Sequence, residues 1–152
     1  MWHKLIVLGP GLVALLALAA CSKAAPVPTP SAPTANNAVV RVTLDEWHLT
    51  PSVASAPAGY ITVEAVDTGT DDHEVVILKT DKAANALVVR NEASVDKSKV
   101  DETASGDNVG EVEVEAGVTQ AATFKLTPGH YVFICNTEAH YKKGMFADFT
   151  VQ

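Results

Sequence analysis

The chain has 152 residues and a formal net charge of −7 at pH 7, with 18 acidic residues against 11 basic ones. An acidic chain without a basic cluster argues against nucleic acid, and against anionic lipid headgroups, as partners. Apolar residues make up 47% of it, enough for a hydrophobic core, and the side chains competent for redox or metal chemistry are few: two Cys, two Met and five His. Residues 1–20 read as a secretory leader and not as part of the fold. Lys4 supplies a short positive start, and LIVLGPGLVALLALAA is an apolar run ending in small residues. It is too short, and too closely followed by polar sequence, for a convincing spanning helix. Residues 21–38 continue as CSKAAPVPTPSAPTANNA, dominated by Pro, Ala, Ser and Thr with no apolar period. That is the composition of an extended tether. Residues 39–152 suit one small domain with one core.

The junction Leu18-Ala19-Ala20-Cys21 resembles the lipobox of bacterial lipoproteins. The resemblance implies that Cys21 becomes the acylated first residue and tethers the domain to a membrane. Ser22 would then favour the outer membrane in a two-membrane bacterium. An ordinary signal peptide with a Cys nearby, or an uncleaved anchor, is the other reading. Cleavage removes Lys4 and takes the formal charge from −7 to −8. If Cys21 is consumed by lipid, Cys135 has no disulfide partner in an exported, oxidising compartment. Such a thiol is either buried and inert or bound.

Along the domain the period is two. VVRVTL (39–44), YITVEAV (60–66), HEVVIL (73–78), GEVEVE (110–115), AATFKL (121–126), HYVFIC (130–135) and MFADFTV (145–151) read as strands between Gly-, Pro- and Asp-containing turns. ALVV (86–89) is an eighth, weaker candidate. Seven or eight short strands in a chain of this size predict an all-β, Greek-key β-sandwich. Residues 89–110 break the pattern. They are polar, charged and poorly periodic, and are read as a surface insertion with room for a short helical turn.

The stretch CNTEAHYKKGM places Cys135, His140 and Met145 at intervals of five residues between two strands. From this chain's His and Met counts, a random Cys would have both at those offsets roughly once in a few thousand cases, and on the order of once in a few hundred when other tolerated spacings are allowed. His73, following the turn Thr68-Gly69-Thr70-Asp71, is the candidate fourth group. Two imidazoles, a thiolate and a weak thioether are the ligand set of blue-copper electron-transfer sites. Thiolate and thioether are soft donors for Cu(I), imidazole suits both oxidation states, and zinc does not favour a Met ligand. The other histidines are read as surface residues. His130 starts the strand ending at Cys135, about 17 Å from that end, and His48 alternates away from Trp47 and Leu49. Tyr141, Lys142 and Lys143 lie within the ligand loop, either as solvated residues or as a local positive spot.

EWHLTPSVASAPAGYITVEAVDTGTDDHEVVIL and LTPGHYVFICNTEAHYKKGMFADFTV are similar to the two halves of a bacterial cupredoxin, a plastocyanin-like domain, and the likeness spans 39–152. The Cys-x4-His-x4-Met loop resembles the rusticyanin type more than the shorter plastocyanin loop. By position, the resemblance implies one type 1 copper ion held by His73, Cys135, His140 and Met145, with the edge of His140 near the surface as the electron port. Glu74 stands where many family members have Asn or Ser. A backbone N–H from that position still serves the Cys sulfur whatever the side chain. Asp72, Glu74 and Asn136 are the candidate neighbours of the ligands; carboxylates there favour the more highly charged ion and a lower potential, unless they simply face water. The resemblance implies an electron carrier of the cell envelope, periplasm-facing and not an enzyme, exchanging electrons with a cytochrome, oxidase or reductase. A copper chaperone, buffer or resistance protein is the rival. An oxidase or nitrite reductase would require further copper ligands and a catalytic pocket.

Overall fold

A computed structural model describes residues 37–91 and 93–152. The leader, Cys21 and the rest of the tether up to residue 36 lie outside the described residues. In chain order the strands are β1 (Asn37–Asp45), β2 (His48–Pro51), β3 (Ser55–Ala56), β4 (Gly59–Asp67), β5 (His73–Lys79) and β6 (Val89–Arg90). They continue as β7 (Lys99–Val100), β8 (Asp107–Val114), β9 (Thr119–Leu126), β10 (Gly129–Ile134) and β11 (Phe146–Val151). Single-turn helices α1 (Glu102–Ser105) and α2 (His140–Lys143), and 3₁₀ turns at Ala84–Ala86 and Val95–Lys97, join them. β1 opens at Asn37, so Asn37 and Ala38 belong to the domain and not to the tether.

Strands β2-β1-β4-β9 form one sheet and β3-β11-β10-β5-β8 the other. β1 runs parallel to β4 and β3 parallel to β11, and the other neighbours are antiparallel. This is the all-β sandwich that the period-two pattern predicts. In β4 the buried Ile61, Val63 and Ala65 alternate with half-exposed residues. With Val40, Val42 and Leu44 of β1 they meet Val75, Ile77, Phe133 and Phe149 from the facing sheet. Phe133 and Phe149 stack with ring centroids 4.7 Å apart. Cys135 and Met145 belong to this same core.

β5 and β10 do not alternate, because the sheet is covered on both faces there. Val75 to Leu78 and Tyr131 to Ile134 are all buried. Val76, Leu78, Val132 and Ile134 turn away from the sandwich core into a second cluster with Ala84, Leu87, Val100 and Tyr141. A strand buried on both sides reads as a continuous apolar run, which is what VVIL and YVFI are.

The second cluster adds an anchor to the surface insertion read at 89–110, which is largely exposed and carries the short helix α1. Within it β6 pairs with β7, Asp101 caps α1 by accepting from the Ala104 N–H at 3.1 Å, and 107–110 already belong to β8. Val100 anchors the segment in the second cluster. The weak strand read at ALVV (86–89) is corrected. Ala86 ends a 3₁₀ turn, Leu87 drops into the cluster and pairing starts only at Val89. The polar residues face outward and conceal this packing, since the apolar partners are too widely spaced in sequence to make a local period.

Tyr141 ties the segment to the ligand loop: its hydroxyl accepts from the Leu87 N–H at 3.1 Å and donates to the Ala84 carbonyl at 2.7 Å. Tyr141→Phe leaves both buried backbone groups unpaired. Stability by equilibrium denaturation should fall by about 1–3 kcal/mol, with faster hydrogen exchange at the Leu87 amide.

Candidate metal centre

β10 and β5 pair antiparallel with Ile134 opposite Val76 and Phe133 opposite Ile77. That register brings His73, at the start of β5, to the same end of the sheet as Cys135, one residue past β10. The chain then turns through α2, which begins at His140, and re-enters the sheet beyond Met145. Backbone hydrogen bonds close this loop: Cys135 N–H to the Met145 carbonyl at 3.0 Å, Met145 N–H to the His140 carbonyl at 3.2 Å, and His140 N–H to the Thr137 carbonyl at 3.1 Å. Gly144 ends α2 at φ +117°, a conformation that favours glycine.

The closure converges three donors. His73 Nδ1 and His140 Nδ1 are 3.1 Å apart, and Cys135 Sγ lies 3.7 Å from the first and 3.3 Å from the second. All three residues are buried. An ion about 2.0 Å from each nitrogen and about 2.3 Å from sulfur spans edges of this size, so the residues present fit a single bound metal. Met145 is fully buried and packs in the same core cluster as Cys135. A sulfur-rich, carboxylate-free donor set of this kind selects copper over calcium or magnesium.

The backbone N–H groups of Glu74 and Thr137, and the Thr137 hydroxyl, lie on the Cys135 side and favour its thiolate. Burial nevertheless pushes the Cys135 thiol above its ordinary pKa. His140 is pushed down, first by burial and then by His73 and Lys143. The residue is 6% exposed, and its ring stands edge-on to Trp47 at 5.0 Å, with Lys143 Nζ 3.5 Å from the Trp47 ring centroid. The surface edge expected of His140 is therefore small and framed by Trp47.

The candidate neighbours divide. Glu74 is half-buried, and its acid is raised mainly by burial. Asp72 serves the fold: its Oδ1 accepts from the Ala116 N–H at 3.0 Å, tying the turn before β5 to the β8–β9 turn. Asn136 clamps the ligand loop to the insertion, accepting from Val100 N–H at 2.6 Å and donating to the Val100 carbonyl and to Glu102. The Ala139 N–H also reaches the Ser98 carbonyl at 2.9 Å. These bonds hold Ala139 at φ +71°, a region that costs a non-glycine residue roughly 1–2 kcal/mol.

The remaining candidates lie elsewhere. His48 is exposed and bonded to Asp45. His130 is half-buried, its ring bridging the Thr80 carbonyl and Asp148. Tyr141 is buried, not solvated. Sequence reasoning missed Glu46, Trp47 and Thr137. The alternation that turns His48 outward also turns Trp47 inward, so that residue was legible; Glu46, an acid in a turn, carried no signal.

No protein-family model matches the chain, and no curated protein matches it. Solved structures do. An auracyanin B structure aligns at 22% identity and TM-score 0.53, covering 78% of this chain and 91% of its own. Reduced auracyanin from the photosynthetic bacterium Roseiflexus castenholzii aligns at 24% and 0.51, covering 78% and 99%. Auracyanin A, titled a "blue" copper protein from the green thermophilic photosynthetic bacterium Chloroflexus aurantiacus, aligns at 13% and 0.50, covering 77% and 100%. At these identities the likeness shows the fold.

The thiol shift has a measurable sign. A raised pKa keeps the metal-free Cys135 protonated at neutral pH, while the lowered His140 is neutral and free to bind. A thiolate ligand must shed its proton, so metal affinity should rise about tenfold per pH unit below the thiol pKa. Loading at pH 7 in weak buffer should release about one proton per ion; pH-indifferent binding with no release would remove Cys135 from the ligands.

Proposed function

We propose that this cupredoxin-fold domain is a one-electron carrier of the cell envelope, with copper held by His73, Cys135, His140 and Met145. The observation that carries the reading is the convergence of two imidazole Nδ1 atoms on a buried thiol beside a buried Met. Copper, when bound, supplies the one-electron Cu(I)/Cu(II) couple. The chain's own part is to hold a compromise donor set still. Cys135 and Met145 offer the soft sulfur that Cu(I) favours, and His73 and His140 the imidazoles that serve both states. The paired strands and the hydrogen-bonded loop keep these donors in place, and burial keeps water off them. A donor set that does not rearrange keeps the reorganisation on electron exchange small.

A concavity of about 530 Å³ opens beside His73, lined by Asp72, Glu74, Glu113, Glu115 and Thr137. Four carboxylates there, on an acidic chain, fit a basic redox protein as partner, a cytochrome, oxidase or reductase whose approach is steered by charge. Acylation of Cys21 would tether the domain to the envelope membrane through residues 21–36, facing the periplasm. Mass spectrometry of the native N-terminus should find a diacyl or triacyl mass on a chain beginning at Cys21. A chain beginning elsewhere, without lipid, would remove the anchor and leave the copper reading untouched.

Full-length protein loaded with Cu(II) should show an intense visible sulfur-to-copper charge-transfer band, which Cys135→Ser should abolish. Tight binding of Cu(I) without any such band would turn the assignment to copper handling, and a coloured Cys135→Ser protein would overturn the ligand set.

A further inference from the structure

A histidine that gives the Nδ1 lone pair to a metal carries its proton on Nε2, and that N–H needs a counterpart. In His73 the Nε2 is buried and makes no hydrogen bond among the described residues. It faces Glu46 Oε1 at 3.9 Å, on a side chain that is 25% exposed while the imidazole is fully buried. The carboxylate does not drift into this position. Its Oε1 accepts from Thr70 N–H at 2.6 Å, from Asp71 N–H at 2.8 Å and from the Thr70 hydroxyl at 3.4 Å. These amides pull its pKa down to about 2. Gly69 leaves the room: a Cβ there would collide with Glu46 Oε1 and stand 2.8 Å from Cδ and Oε2.

The next residue along the chain does the corresponding task on the other imidazole. Trp47 stands edge-on to His140 at 5.0 Å and carries the Lys143 ammonium over its ring at 3.5 Å. One two-residue turn, between β1 and β2 of the opposite sheet, therefore touches both histidines of the centre.

We propose that Glu46 and Trp47 are positioning residues for the copper site: Glu46 sets a fixed negative charge on the Nε2–H edge of His73, and Trp47 walls His140 from water. The inference rests on the copper reading above. A fixed anion beside one imidazole favours the more highly charged ion, so Glu46, more than Glu74, controls Cu(II) against Cu(I) from the His73 side of this centre. Asp72 is committed to the Ala116 amide and Glu74 is half-buried, whereas Glu46 is aimed at a ligand ring.

The test uses the full chain with Glu46→Gln, Glu46→Ala, Glu74→Gln and Trp47→Phe. Cu(II) and Cu(I) affinities are measured by chelator competition, and folding of the metal-free proteins by thermal melting. Gln retains an oxygen for the Thr70 and Asp71 amides, so Glu46→Gln should melt with the wild type. Its ratio of Cu(II) to Cu(I) affinity should nevertheless fall about tenfold, more than in Glu74→Gln. Trp47→Phe retains a ring and should change that ratio least, while releasing copper to chelator faster. An unchanged ratio in a folded Glu46→Gln protein, or a larger shift in Glu74→Gln, overturns the proposal while leaving the copper site standing. Wild-type protein that binds no copper overturns both. If Glu46→Ala does not fold, Glu46→Gln still decides.

Discussion

The pairing register of β5 and β10 is the constraint on which the metal centre depends. With Ile134 opposite Val76, Cys135 and His73 arrive at the same end of the sheet, close enough for sulfur and Nδ1 to stand 3.7 Å apart. A slip of one residue would exchange the two faces of a strand. Here that would put Val76 and Leu78 where Val75 and Ile77 now meet the sandwich core, and it would carry His73 away from the sulfur. The register resists slipping because both faces of these strands are buried, one in the sandwich and one under the 84–105 segment. The second cluster is thus more than a cover for spare apolar surface. It helps fix which residues face the centre.

Burying two imidazoles and a thiol together has a consequence of its own. Desolvation disfavours charge on Cys135 and His140, raising the thiol and lowering the imidazole. Cys135 and His140 are thus held neutral without metal in a tightly spaced donor set, and Glu74 and Thr137 favour the thiolate that a cation would draw out. The loop that delivers these groups is short and carries backbone strain at Ala139. It is held from outside by Asn136 on Val100, Ser98 on Ala139 and Tyr141 on Ala84 and Leu87. The outer edges of the histidines are held from the other direction, by the Glu46–Trp47 turn of the facing sheet. The ligand cage is gripped by three separate parts of the chain, of which only the loop itself contributes sulfur.

The sheets, the loop and the donor residues were legible in the sequence because each writes a local signal. Alternation marks β1, β4 and β8; the even spacing of Cys135, His140 and Met145 needs only one turn between two strands. The insertion was legible as a break in the pattern, but its packing was not, since Leu87 and Val100 meet Ile134 and Tyr141 only after the chain has passed through β8 and β9 into β10. Nor was the division of labour among the acids. Asp72 and Glu74 sit beside His73 in sequence, yet Glu46, more than twenty positions away, is the carboxylate that faces its ring.

By itself, then, the sequence determined the layered β architecture and the chemical identity of the donors, because strand period and side-chain type are properties of short segments. Tertiary structure alone decided which nitrogen of each histidine points inward, what stands behind each ring and what braces the loop. Those depend on the crossing of two sheets and the closing of a distant segment, which no stretch of local sequence encodes.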